Sequence, residues 1–123
     1  KCVVCHSTPA LGDGEFRNIG VRPIFEDEGH FLATGDPDDL GLFKTPSLRN
    51  AGLRAPYFHN GSVATLEEAV ELMLNGGIAN QWLDEENLAE TRKASLTDQD
   101  KQDLLAFLNA LDVDYNIQKP KLP

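Results

Sequence analysis

Two stretches of the chain carry apolar residues at helical spacing. Leu66, Ala69, Val70, Met73 and Leu74 recur on one face of a 3.6-residue repeat. Thr65 stands before them with Glu68 three residues on, a capping box, and Asn75-Gly76-Gly77 follows as glycine follows a helix end. The pattern predicts a helix from the Thr65 cap to Asn75, with Met73 on the inward stripe of its last turn. A second helix is predicted over residues 97–111. Thr97-Asp98-Gln99-Asp100 supplies its cap and acidic first turn, and Leu104, Leu105, Leu108 and Leu111 form its stripe with Phe107 at the border. Between residues 7 and 45 the pattern breaks down. Gly and Pro recur, and acidic clusters at Glu26-Asp27-Glu28 and Asp36 to Asp39 interleave them, which predicts a long loop wrapped over something. Pro46 and Pro56 punctuate a short helical turn around Ser47 to Ala51. Residues 76–95 are weakly patterned; Trp82 is expected to anchor a loop and Asp84-Glu85-Glu86 to be solvated. The tail from Asp112 to Pro123 is expected along the surface or against a partner. No internal repeat or low-complexity tract occurs.

The chain has 123 residues, of which 41% are hydrophobic and 25% charged. That is the composition of one soluble globular domain. No apolar run approaches the roughly 18 residues that cross a bilayer. The formal charge of -9 argues against nucleic acid as a partner, because such surfaces are basic. Two cysteines, Cys2 and Cys5, lie too close together to staple a fold. The chain starts at Lys1 with neither an initiator Met nor a signal peptide, so a preceding segment removed by processing or truncation is expected.

The two cysteines carry the chemistry. Cys2-Val3-Val4-Cys5-His6 is the C-x-x-C-H pattern of c-type haem attachment. Two intervening residues let both sulfurs reach the vinyl groups on one porphyrin edge, and His6 is then carried under the ring as proximal iron ligand. A zinc site would need two further soft ligands, with only His30 and His59 to offer. A thioredoxin-type site would follow a strand in a βαβ unit, and nothing upstream supplies one. Neither rival requires a histidine directly after the second cysteine. A bound haem also gives the long loop something to pack on, which removes the objection to thirty irregular residues in a compact domain.

The sixth iron position decides between ligand chemistry and electron transfer, and a methionine sulfur there favours the latter. Met73 is the only methionine. A lone methionine can equally be a flexible core filler, and His30 and His59 compete for the position. Arg49 and Tyr57 lie in a mostly apolar stretch and are candidate partners for the haem propionates, against the alternative of a surface arginine and a packed tyrosine.

Several blocks together resemble a known family. Cys2-x-x-Cys5-His6, Thr34-Gly35-Asp36, Phe43-Lys44-Thr45-Pro46-Ser47-Leu48-Arg49-Asn50, Pro56-Tyr57-Phe58-His59-Asn60-Gly61 and Thr65-Leu66-Glu67-Glu68-Ala69-Val70 with Met73 resemble the C-terminal haem domain of bacterial di-haem cytochrome c peroxidases. The resemblance runs from Cys2 to Leu111. It implies a mainly α, cytochrome c-like haem domain with long irregular loops. It also implies one covalent haem c and its high-potential His/Met ligation, which would fall on His6 and Met73. Related oxidases that modify protein tryptophans carry tyrosine at the Met73 position. The resemblance further implies a calcium ion held partly by the backbone carbonyls of Arg54 and Pro56, and a place for His59 near the haem edge. It implies export to the periplasm and electrons received from a small redox donor of cytochrome or cupredoxin type. A second C-x-x-C-H and the N-terminal haem domain are absent from this sequence. The chain is therefore expected to be a single haem domain, 1–123, and the C-terminal part of a longer di-haem protein or the partner of a second chain.

Cytochrome c folds pack an N-terminal helix across the C-terminal one. With no residues before Lys1, Leu104, Leu108 and Leu111 are expected to need cover from another segment, since each buried side chain contributes about 1.5–3 kcal/mol. Two functions follow as expectations. One is electron transfer to a peroxide-reducing haem elsewhere. The other is peroxide reduction at this haem after loss of Met73, which needs an open iron position and an acid–base group such as His59 or a carboxylate.

Overall fold

The computed structural model describes residues 2–22, 27–92 and 95–113; the predicted capping box at Thr65 closes in it, and the cap expected at Thr97 proves to be a capping box as well. Thr65 Oγ1 accepts from the Glu68 N–H at 3.2 Å while the Glu68 carboxylate accepts from the Thr65 N–H at 3.2 Å. Thr97 and Asp100 repeat the exchange at 3.2 and 2.8 Å. Two of the four α-helices among the described residues start there. Numbered along the chain, they are α1 (Phe31–Thr34), α2 (Leu66–Leu74), α3 (Glu85–Arg92) and α4 (Asp98–Asn109). Short 3-10 turns stand at Cys2–Val4, Pro37–Asp39 and Ala51–Leu53.

The pattern missed α3. Its only buried leucine is Leu88, so there is no stripe to detect. Asp84 caps it, accepting from the Asn87 N–H at 3.2 Å and the Asn87 side chain at 2.8 Å. Asp84 is therefore half-buried and structural, not the solvated residue expected. The turn predicted at Ser47 to Ala51 instead forms at Ala51–Leu53, preceded by Asn50 in the left-handed region at φ 60°. Asn50 ties this turn to the end of α4: its N–H donates to Leu111 O at 3.2 Å and its Oδ1 accepts from Val113 N–H at 2.7 Å. The rest of the predicted tail, 114–123, lies outside the described residues.

The long loop is more ordered than its breakers suggest. Strand β1 (Phe16–Arg17) pairs antiparallel with β2 (Phe43–Lys44), Arg17 opposite Phe43. Thr45 N–H to Glu15 O at 2.8 Å and Leu48 N–H to Leu11 O at 3.1 Å continue the seam. Nothing in local sequence marks strands of two residues, because only the cross-chain pairing creates them.

The buried apolar side chains are few: Ala51, Ala69, Leu83, Leu88 and Leu108, and none of the described side chains is completely enclosed. The apolar faces converge instead on a cavity of about 800 Å3. Leu104 and Leu108 of the α4 stripe line its wall, and Leu108 is buried. Leu105 and Leu111 are half-buried and stand outside the lining, while Phe107 lines the cavity and is exposed.

Candidate functional site

The C-x-x-C-H motif folds as a single tight turn. Both the Cys5 and His6 N–H groups donate to Cys2 O, at 3.3 and 3.0 Å. Cys2, Cys5 and His6 consequently share one wall of the cavity. His6 Nδ1 lies 2.7 Å from the carbonyl oxygen of Leu11. A carbonyl only accepts, so Nδ1 carries the proton and Nε2 keeps its lone pair for a metal. Neither cysteine is in a disulfide, and burial pushes the Cys5 thiol up, with Arg17 opposing.

Met73 lines the same cavity, with Leu66, Ala69, Val70 and Leu74 of α2 around it. The helix ends abruptly just beyond. Gly76 and Gly77 take φ values of 73° and 70°, the left-handed region that glycine enters without steric penalty. Any Cβ on Gly77 would overlap the Ile19 carbonyl, and Ile78 N–H donates to Gly20 O at 2.7 Å. The end of α2 is thereby docked on residues 18–20. Asn18, buried, supports the seam by accepting from Gly20 N–H at 3.0 Å and Asn80 Nδ2 at 3.1 Å.

The other candidates separate. His30 is not among the cavity-lining residues; it stacks on Phe16, centroids 3.7 Å apart, and faces Asp39 at 3.2 Å. His59 does line the cavity, stacked on Phe43 at 3.6 Å and 5°, and burial holds its imidazolium pKa below the ordinary value. Tyr57 lines it too, but its hydroxyl donates to Ala51 O at 2.9 Å, and burial raises its pKa. Arg49 is not in the wall. Its guanidinium donates to Pro9 O at 2.8 Å and clips the loop after the cysteine motif to the 47–50 segment. The cations that reach the cavity from this region are Lys44 and Arg54, and Arg54 also donates to Ser47 O at 3.4 Å. Arg54 and Pro56 stand exposed at the rim. Among the described residues no group of three or more His, Cys, Asp or Glu could hold a metal ion.

A charged cluster escaped sequence reading. Arg17 grips Asp13 through two hydrogen bonds of 3.0 and 2.7 Å, donates to Thr45 Oγ1 at 2.8 Å and lies 3.5 Å from Asp84. The guanidinium holds the Asp13 carboxyl at about 2. An Asp and Arg four apart were visible at 13 and 17, but nothing local joined them to residue 84.

The fit to a porphyrin can be tested on the cavity itself. Its volume of about 800 Å3 lies within the roughly 300–1,000 Å3 of cofactor and ligand sites. The walls are shaped for a large apolar ligand, with two thiols, an imidazole and a thioether among them. A family model described as Cytochrome c matches residues 1–112. The chain belongs to the cytochrome c family. As a cytochrome c domain it binds haem c covalently.

Curated relatives narrow the kind of cytochrome c. The chain is 31% identical to "Cytochrome-c peroxidase IdrP1" of Denitromonas iodatirespirans over 99% of its own length and 40% of the relative's. It is 45% identical to "Cytochrome c551 peroxidase" of Nitrosomonas europaea over 58% of its length and 23% of that protein's. It is 31% identical to "Methylamine utilization protein MauG" of Methylorubrum extorquens, over 99% of this chain and 34% of that protein. A crystal structure of a MauG-like protein associated with microbial copper homeostasis superposes with a TM-score of 0.80 at 38% identity, covering 92% of this chain and 42% of the other. These findings agree with the resemblance to the di-haem peroxidases and with the mainly helical cytochrome c fold. The chain spans about two fifths or less of the length of these relatives.

Proposed function

We propose that this domain carries one haem c, tethered through Cys2 and Cys5 with His6 and Met73 as axial ligands, and that it relays electrons to a peroxide-reducing haem in another domain of a longer protein or in a second chain. The observation that carries the reading is the His6 imidazole, fixed by Leu11 with its Nε2 free, in one cavity with both cysteines and Met73. Such a haem supplies a one-electron carrier. The chain's own residues do the rest. The Leu11 carbonyl orients His6, the Gly76-Gly77 seam on residues 18–20 holds Met73 at the wall, and the aliphatic residues of α2 and α4 exclude water. Arg54 at the rim is the better partner for the propionates than Arg49, with the Tyr57 hydroxyl already engaged by Ala51. A calcium ion at the carbonyls of Arg54 and Pro56 would need its remaining ligands from another domain, and no step rests on it.

The formal charge of -9 suits a small redox donor with a basic docking patch. The thioether chemistry of haem c and the peroxidase resemblance favour the periplasm, and among the described residues no helix is long and apolar enough to cross a membrane. Peroxide reduction at this haem has less behind it. It would need Met73, which lines the same cavity, to leave the iron first.

The test is expression with haem-attachment machinery, followed by intact mass and the spectrum. The expected result is a mass increased by one haem and a low-spin spectrum whose methionine–iron band disappears in Met73→Ala. An unmodified mass, or a Met73→Ala spectrum identical to the parent, overturns the proposal.

A further inference from the structure

The charged cluster in the cavity wall is built from distant segments and aimed at the haem-attachment turn. Arg17 and Phe43 are cross-strand partners on β1 and β2, and both face the cavity. The Arg17 guanidinium is gripped by Asp13 at 3.0 and 2.7 Å, by Thr45 at 2.8 Å and approached by Asp84 at 3.5 Å. All three charged side chains are largely withdrawn from water, at 15%, 17% and 20% exposure. The Asp13 N–H donates to Cys5 O at 3.0 Å, which fastens the cluster to the cysteine turn. On the other side Asn87 fixes Asp84. Arg17, Thr45, Asp84 and Asn87 line the cavity alongside Cys5 and His6. One cation faces two anions, so the cluster carries a net negative charge that Arg17 halves.

We infer that Arg17 and Asp84 form an electrostatic pair that sets the reduction potential of the haem held by Cys2, Cys5 and His6. The inference rests on the haem reading above. A ferric haem carries one more positive charge than a ferrous one. Anions in a wall of low dielectric stabilise the oxidised form and lower the potential, and a cation raises it. Burial keeps these charges from being screened as surface charges are. Arg17 is thus a tuning residue and not a ligand, and its removal would leave two carboxylates uncompensated beside the attachment turn.

Redox titration of the haem-loaded domain tests this with Arg17→Gln, Arg17→Lys and Asp84→Asn. Arg17→Gln is expected to lower the midpoint potential, Asp84→Asn to raise it, and Arg17→Lys to stay near the parent. The opposite signs are the discriminating feature. A purely structural role would loosen the wall, admit water and move Arg17→Gln and Asp84→Asn in the same direction. Shifts of one sign in both, or no shift in either, overturn the inference. If Arg17→Gln does not take up haem, Asp84→Asn and Arg17→Lys carry the test alone, and a fall or no change in Asp84→Asn overturns it. A parent chain that takes up no haem overturns the haem reading itself, and this inference with it.

Discussion

The helical side of the cavity and its loop side enclose the same space by different means. On the helical side, α2 and α4 present Leu66, Val70, Met73, Leu104 and Leu108 to the cavity, and polar contacts such as the capping boxes and an exposed Lys101–Glu71 ion pair of 2.9 Å lie away from it. On the loop side, residues 5–22 and 41–60 reach the cavity through contacts between segments distant in sequence: Arg49 to Pro9, Ser47 to Ala10, Arg17 to Thr45 and Asp84. Apolar contact is non-directional, so the first wall can adjust to its ligand. Hydrogen-bonded guanidinium and carboxylate geometry is directional, so the second wall fixes where the cysteine turn sits. The difference assigns packing to one side and placement to the other.

The largest effect expected from breaking the helical wall is at Leu108. Leu108→Ala removes a side chain that is only 5% exposed from the centre of the α4 stripe, and should cost about 2–4 kcal/mol. Denaturant unfolding of the haem-loaded domain measures it. The spectrum of the folded variant should be unchanged, because Leu108 makes no ligand bond. A loss below ~1 kcal/mol would mean that haem contacts, not this stripe, carry the wall.

The seam between the two sides comes next. Gly77→Ala puts a methyl group on the Ile19 carbonyl at φ 70°, so both strain and overlap act against it. The expected loss exceeds ~1 kcal/mol, and here the spectrum should change as well, since the seam holds the end of α2 that bears Met73. An Ala variant with parent stability and an intact methionine–iron band would show that Met73 is held by the helix alone.

These two sides also differ in what the sequence discloses. Local rules sufficed for α2 and α4, because a stripe and a capping box lie within ten residues of one another. The C-x-x-C-H turn was readable for the same reason, and the structure brings Cys2, Cys5, His6 and Met73 to one cavity. Arg49 looked like a propionate partner only because its neighbours are apolar. Its guanidinium is turned to Pro9, and that contact is 40 residues away. Asp84 looked solvated inside an acidic run, yet Arg17, 67 positions earlier, half-buries it. The two-residue strands and the Arg17 cluster exist only once the chain closes on itself, so no window of sequence contains them.

The smallest effect sharpens the comparison most, because each wall owns one carboxylate with a depressed pKa. Arg17 and the Glu15 N–H hold Asp13 at about 2, below the usual 3.8, and the Thr97 hydroxyl and N–H lower Asp100. A carboxyl whose folded value lies below its unfolded one stabilises the fold fully above the unfolded value, and loses that contribution as pH falls through the folded value. Asp13→Asn and Asp100→Asn should therefore both be less stable than the parent near neutral pH. Each gap should narrow below about pH 4. The Asp13 gap should persist furthest into acid, toward the value of about 2 at which its carboxyl titrates. Urea midpoints of the haem-loaded proteins from about pH 6 down to about 2.5 follow both gaps. If the Asp13 gap is independent of pH, the placement wall is held by hydrogen-bond geometry and not by charge, and the distinction between the two sides must be redrawn on shape alone.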